Sequence, residues 1–186
     1  MKQIDLDTKN YKENGSVFKR VAVRGIIKRG DLYLIIVNKY GDHKFPGGGQ
    51  NQGETLEETL LREVQEESGY LVKKDSIKEY IVIHERRRGM IEDILEMDSY
   101  YYLCEVEEEL GERNLDEYEQ EEDFQVAWLP IREIYENNEN IITKSQEFLQ
   151  NPDLKNETLK ERDFEVVIAY LTRENIAIQE ILKAGE

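Results

Sequence analysis

Three consecutive glycines, Gly47-Gly48-Gly49, lead into an acidic stretch that ends at Gly69, and no other part of the chain so narrows what it can fold into. Thr55 and Glu58 have the T-x-x-E spacing of a capping box, which predicts a helix starting at Leu56. Gly69 suits the left-handed position just past the helix end. Leu56, Leu60 and Val64 recur at i, i+4 and i+8 and form an apolar stripe for a core. Glu63, Glu66 and Glu67 share a different face. Glu66 and Glu67 sit in the last turn, where the helix dipole favours cations. Like charges so spaced cost about 0.2–0.5 kcal/mol per pair. A broken local rule of this kind marks either a solvated acidic face or a functional site. A divalent cation would reverse the penalty, because hard cations take carboxylate oxygens.

The positions Gly48, Glu54, Arg62, Glu63, Val64, Glu66, Glu67 and Gly69 resemble the Nudix box of the MutT-like Nudix hydrolases. Phe45-Pro46-Gly47 resembles the family's lead into that box. One position departs: Tyr70 stands where the family usually has a bulky aliphatic residue, a change of packing rather than of chemistry. Gly48, Gly53 and Thr55 also have P-loop spacing, but Glu54 occupies the place of the P-loop lysine. The resemblance covers roughly residues 18–135. It implies an α+β fold, an α/β/α sandwich with a mixed sheet between helices. It also implies hydrolysis of a nucleoside diphosphate linked to another group, by water attack on phosphorus, with Mg²⁺ or Mn²⁺ as cofactor. A house-cleaning nucleoside triphosphate pyrophosphatase is the alternative enzyme. A non-catalytic nucleotide-sensing module is expected to lose box carboxylates, and this chain keeps them all.

By position in the motif, Glu63, Glu66 and Glu67 are the expected metal ligands. Arg62 is the expected structural cation, paired with Glu54 or a neighbouring carboxylate. Glu54 either orients a metal or serves that ion pair alone. Gly47 and Gly48 let backbone approach substrate or metal closely. The resemblance implies a further glutamate ahead of the strand bearing Trp128. Glu121 and Glu122 stand six or seven residues before it, and Glu122 is taken as an extra ligand or general base, although Asp116, Glu117 and Glu119 share that loop. Lys39 leaves a strand toward the glycine loop and is expected to meet a phosphate. Arg86-Arg87-Arg88 either clamps phosphate or, more in keeping with such runs, forms a solvated loop paired with Glu92, Asp93 or Glu96. His84 is read as a structural strand-end residue, with a role as base the alternative.

Composition removes several other classes. A net charge of −16 disfavours a large nucleic-acid surface or an anionic membrane, but not a small phosphate substrate. No apolar run approaches a membrane span, and Met1 to Asn10 lacks the apolar core of a signal peptide. The single cysteine, Cys104, fits a reducing, cytoplasmic setting, and two histidines are too few for a Cys/His zinc cluster.

The 186 residues are expected to form one domain, with a core over about 18–135 and a helical extension over about 136–186. Residues 1–15 read as a frayed or edge segment. Phe18–Ile27 and Leu32–Asn38 read as a hairpin about Arg29-Gly30-Asp31. Residues 40–53 read as a loop. Tyr80–His84 and Tyr100–Val106 read as strands separated by a charged loop, and 107–122 as an acidic loop. Phe124–Leu129 is a last strand, with Pro130 at the first position of the next helix. Ile142, Ser145 and Leu149 are helical in period until Asn151-Pro152. Thr158 with Glu161 suggests a second capping box, followed by a Phe164, Val167, Ile168, Leu171 stripe for core or dimer packing. The chain is therefore expected to be a monomer or homodimer.

Overall fold

A computed structural model describes residues 1–154, 159 and 162–185. Its strands are β1 (Lys2–Asp7), β2 (Val17–Arg29), β3 (Leu32–Val37), β4 (His43–Lys44), β5 (Gly47–Gly49), β6 (Tyr70–Val72), β7 (Lys78–Arg88), β8 (Ile94–Cys104), β9 (Val106–Leu110) and β10 (Gln125–Pro130). The α-helices are α1 (Leu56–Ser68), α2 (Glu117–Glu121), α3 (Ile131–Gln150) and α4 (Phe164–Lys183). The main sheet runs β1-β7-β8-β2-β3-β10, with β4 attached to β3 and β5 to β2. It is mixed: β1 lies parallel to β7, and β2 parallel to β8. The β2–β3, β3–β10 and β7–β8 pairs are antiparallel. β6 and β9 form a separate ribbon.

Alternation along β2 divides the core between the two sheet faces. Val23 and Ile27 pack with Leu34 and with Leu60 and Val64 of α1. Ile26 faces the other way, with Tyr33, Ile35, Ile81 and Tyr101, under Ile131 and Ile134 of α3 and Ala177 and Ile178 of α4. The expected α/β/α sandwich is therefore present. The stripe of α4 is core: Val167 and Leu171 bury against Ile142 of α3. No helix among the described residues is long and apolar enough to cross a membrane.

Several local expectations need correction. The loop expected over 85–98 is confined to 89–93; β7 runs on to Arg88 and β8 begins at Ile94. The pattern was hidden because inward-facing Glu85 and Arg87 are charged yet buried, satisfied by one another (2.7 Å) and by Arg173 of α4. Arg86 lies 3.5 Å from Glu96, while Arg88 pairs with Asp163 and Glu165. The segments 40–53 and 107–122 contain β4, β5, β9 and α2. Pro130 is the N-cap of α3 rather than its first residue. The capping box at Thr158 and Glu161 lies outside the described residues; α4 is capped instead by Asp163, whose side chain accepts from the Glu165 and Val166 amides.

Candidate active site

The helix α1 has the caps its sequence specifies. Thr55 and Glu58 make a reciprocal capping box, and Gly69 closes the helix at φ 78°. The cation its last turn lacks comes from elsewhere: Arg113 Nε donates to the Glu67 carbonyl (2.7 Å). Tyr70, the departure from the box pattern, packs edge-on against Trp128 with centroids 5.6 Å apart. Its hydroxyl accepts from the Trp128 indole N–H at 3.1 Å. The larger ring gains a partner on β10.

One guanidinium organises the first half of that face. Arg62 donates to both oxygens of Glu54 (2.6 and 2.8 Å), to Glu63 (2.7 Å), to Glu66 (3.0 Å) and to the Gly49 carbonyl (3.0 Å). Glu54 also accepts from the Asn51 amide and the Thr59 hydroxyl. The Arg62 hydrogen bonds, foremost, hold its carboxyl far below the usual carboxylate range. Glu54 is thus committed to fixing the glycine loop against α1.

Glu63 and Glu67 lie one turn apart and both are buried. Oxygens of Glu63, Glu67 and Glu119 all come within 4.8 Å of one another. Gly48 makes this approach possible, since a Cβ there would sit 2.4 Å from Glu63 Oε2. Gly47 contributes its N–H, which donates to Glu67 Oε2 at 2.7 Å. Burial pushes the Glu67 carboxyl up to about 8, against the pull of Arg24, Lys44 and the Gly47 amide. Burial likewise raises Glu63 and Glu119. Three crowded carboxylates of raised pKa form an oxygen-rich donor set that fits a hard divalent cation.

The sequence-derived residues fall into two groups. Glu63, Glu67, Gly47 and Gly48 meet at this cluster, with Glu54 and Arg62 adjoining it. Glu66 turns toward Arg62 and lies outside the trio. Glu122 is also outside it: as C-cap of α2 it faces Asn38 and lies 3.5 Å from Lys39. Lys39 is held there too, donating to the Glu121 carbonyl at 2.9 Å. The loop read as undifferentiated acid contains a helix, and its own capping box, Asp116 with Glu119, turns Glu119 inward. That D-x-x-E spacing was the signal available in the sequence.

Two cations went unnoticed in the sequence. Lys44, next to the Phe45-Pro46-Gly47 lead, makes no ion pair among the described residues. Its ammonium lies 4.3 Å from the Phe124 ring centroid and 5.6 Å from that of Tyr170. Burial lowers its pKa, while Glu67 draws it back up. Arg20 on β2 brings Nη2 to 3.0 Å from the place a Gly49 Cβ would take. It borders a cleft of about 630 Å³ lined also by Phe18, Gln50 and Gln52. His84, in contrast, is engaged with Asp98 at 2.7 Å.

Comparisons with known proteins bear on the fold and the family. An ADP-ribose pyrophosphatase of Methanocaldococcus jannaschii is 41% identical over 61 residues, which are 31% of this chain and 36% of that protein. The match thus spans about a third of that relative's length. A solved NUDIX hydrolase from Nitrosomonas europaea superposes with a TM-score of 0.52 at 21% identity, over 64% of this chain and 78% of the other. That likeness shows the fold. The family model described as the NUDIX domain matches residues 18–151, which contain the glycine loop, α1 and the trio of glutamates, and the chain belongs to the Nudix hydrolase family.

Proposed function

We propose that this protein is a divalent-cation-dependent pyrophosphohydrolase that cleaves a nucleoside diphosphate linked to another group. The convergence of Glu63, Glu67 and Glu119 beside Gly47 and Gly48 carries the reading. Glu63 and Glu67 hold the cation from α1, and Glu119 closes the site from α2. Mg²⁺ or Mn²⁺, when bound, supplies charge stabilisation at the diphosphate and an acidified water. Glu119, the most accessible of the three, takes the proton of the attacking water. Burial raises its pKa above the ordinary carboxylate value, which strengthens it as a proton acceptor. Arg62 keeps Glu54, Glu63 and Glu66 in one arrangement before substrate arrives. Lys44 and Arg20 are the cations that would meet the diphosphate, offsetting its charge within an acidic surface. Retention of every box carboxylate favours an enzyme over a sensing module.

The identity of the M. jannaschii relative makes ADP-ribose the first compound to try. Hydrolysis in oxygen-18 water tests the chemistry. The proposal expects one label in the phosphate of one product. Label on a sugar carbon, or none, would contradict attack at phosphorus.

A further inference from the structure

We infer that Glu174 of α4 is a positioning residue for the glutamates of α1, acting through the Phe45-Pro46-Gly47 segment. The inference rests on the reading of Glu67 as a cation ligand. It concerns a helix, 164–183, that lies beyond the span matched by the family model.

Glu174 is fully buried in the sheet-facing side of α4. Its Oε2 accepts the Phe45 N–H at 3.2 Å. Its Oε1 accepts the Tyr101 hydroxyl at 3.1 Å and lies 3.1 Å from Arg24 Nε. The same Arg24 donates through Nη1 to the Phe45 carbonyl (2.9 Å) and the Gly47 carbonyl (3.1 Å). Gly47 then donates its N–H to Glu67. A continuous series of contacts therefore runs from the C-terminal helix to the carboxylate at the centre of the site.

The chemistry of the segment explains why it needs an outside anchor. Pro46 has no N–H, so Phe45 offers the last amide before Gly47. Gly47 itself sits at φ 144°, a conformation open to glycine, where a Cβ would meet the Val23 carbonyl oxygen at 2.1 Å. Glu174 and Arg24 together fix both polar groups of Phe45. Removing the carboxylate would take the Glu174 charge from Arg24, which is only partly exposed, and free it to release the Gly47 carbonyl.

The test compares Glu174→Gln with Asn175→Ala in the full chain. Asn175 is equally buried on the same helix but bonds to Glu139 and Tyr135 of α3. Mn²⁺ affinity is measured without substrate, and exchange of the Phe45 and Gly47 amides is followed by NMR. Glu174→Gln is expected to raise the Mn²⁺ Kd about 10-fold or more, as losses of outer-shell partners do. It should also speed Gly47 amide exchange, while Asn175→Ala lowers Tm and changes neither readout. Unchanged Kd and exchange in Glu174→Gln, or equal changes in Asn175→Ala, would overturn the inference. If Glu174→Gln does not fold, Arg24→Lys keeps the charge but loses the fork to Phe45 and Gly47, and must show the same two changes. A native chain that binds no Mn²⁺ would refute the metal reading, and Gly47 exchange would then decide the positioning role alone.

Discussion

At the scale of single residues, environment separates glutamates that composition leaves alike. Glu54, bonded by Arg62, is held ionised, whereas Glu67, buried beside Glu119, is pushed up to about 8. The box positions of Glu63 and Glu67 were legible because a fixed spacing carried them. Glu119 was not, because five acids lie between Asp116 and Glu122 and only the fold of α2 distinguishes them. The proposed roles are separable: Glu119→Gln should lower kcat at least about 10-fold, whereas Glu122→Gln should change it by about twofold or less. Equal effects in steady-state assays would remove Glu119 from the site. The raised value of Glu67 also fixes a pH dependence, with Arg24, Lys44 and Glu119 facing it. A carboxyl whose folded-state pKa exceeds its ordinary 4.5 stabilises the metal-free protein at low pH, and that contribution is lost as pH climbs toward about 8. Cation binding requires the ionised form. The rise in Tm on saturation with Mg²⁺ should therefore be larger at pH 8 than at pH 6. A smaller rise at pH 8 in scanning calorimetry would contradict this.

At the scale of elements, the most legible segment was α1, where caps, stripe and acidic face agree. The least legible were β7 and β8 around the 89–93 turn, because the inward Glu85 and Arg87 of β7 are charged and are satisfied by each other and by Arg173 of α4, far away in sequence. The short strand β5 was likewise invisible, being three glycines with no side-chain pattern. Its glycines do different things. A Cβ on Gly47 would meet the Val23 carbonyl at 2.1 Å, a backbone atom that cannot move aside. Gly47→Ala should thus cost at least about 1–3 kcal/mol in urea unfolding. A Cβ on Gly48 would first meet the Glu63 carboxylate, the end of a flexible side chain. Gly48→Ala should therefore weaken Mn²⁺ binding more than it lowers stability. The reverse ranking of the two variants would show that β5 serves packing alone.

At the scale of the whole molecule, the sandwich and its mixed sheet followed from the resemblance, while the reach of α4 into the site did not. No sequence period reveals that Arg173 of α4 pairs with Glu85 of β7 beside Glu174. The core beneath α4 shares the sheet with the core beneath α1, so both should melt together. Ile178, fully buried under α4, tests this against Trp128, which lies by α1 and is the chain's single tryptophan. Ile178→Ala should cost about 2–5 kcal/mol. Trp128 fluorescence and far-UV circular dichroism should still give one coincident transition. A Trp128 transition left in place would mean that α4 unfolds as a separate unit.

The central claim is that the clustered glutamates drive cleavage of a nucleoside diphosphate linkage. Its most direct test is product release from ADP-ribose, sugar nucleotides, dinucleoside polyphosphates and nucleoside triphosphates with Mg²⁺, with native protein and Glu67→Gln side by side. The account predicts turnover of a diphosphate-linked substrate by native protein, abolished by EDTA and reduced more than about 100-fold in Glu67→Gln, beyond the usual cost of disturbing an outer-shell partner. Turnover confined to nucleoside triphosphates, turnover untouched by Glu67→Gln, or no turnover of any compound with Mg²⁺ or Mn²⁺ would contradict it.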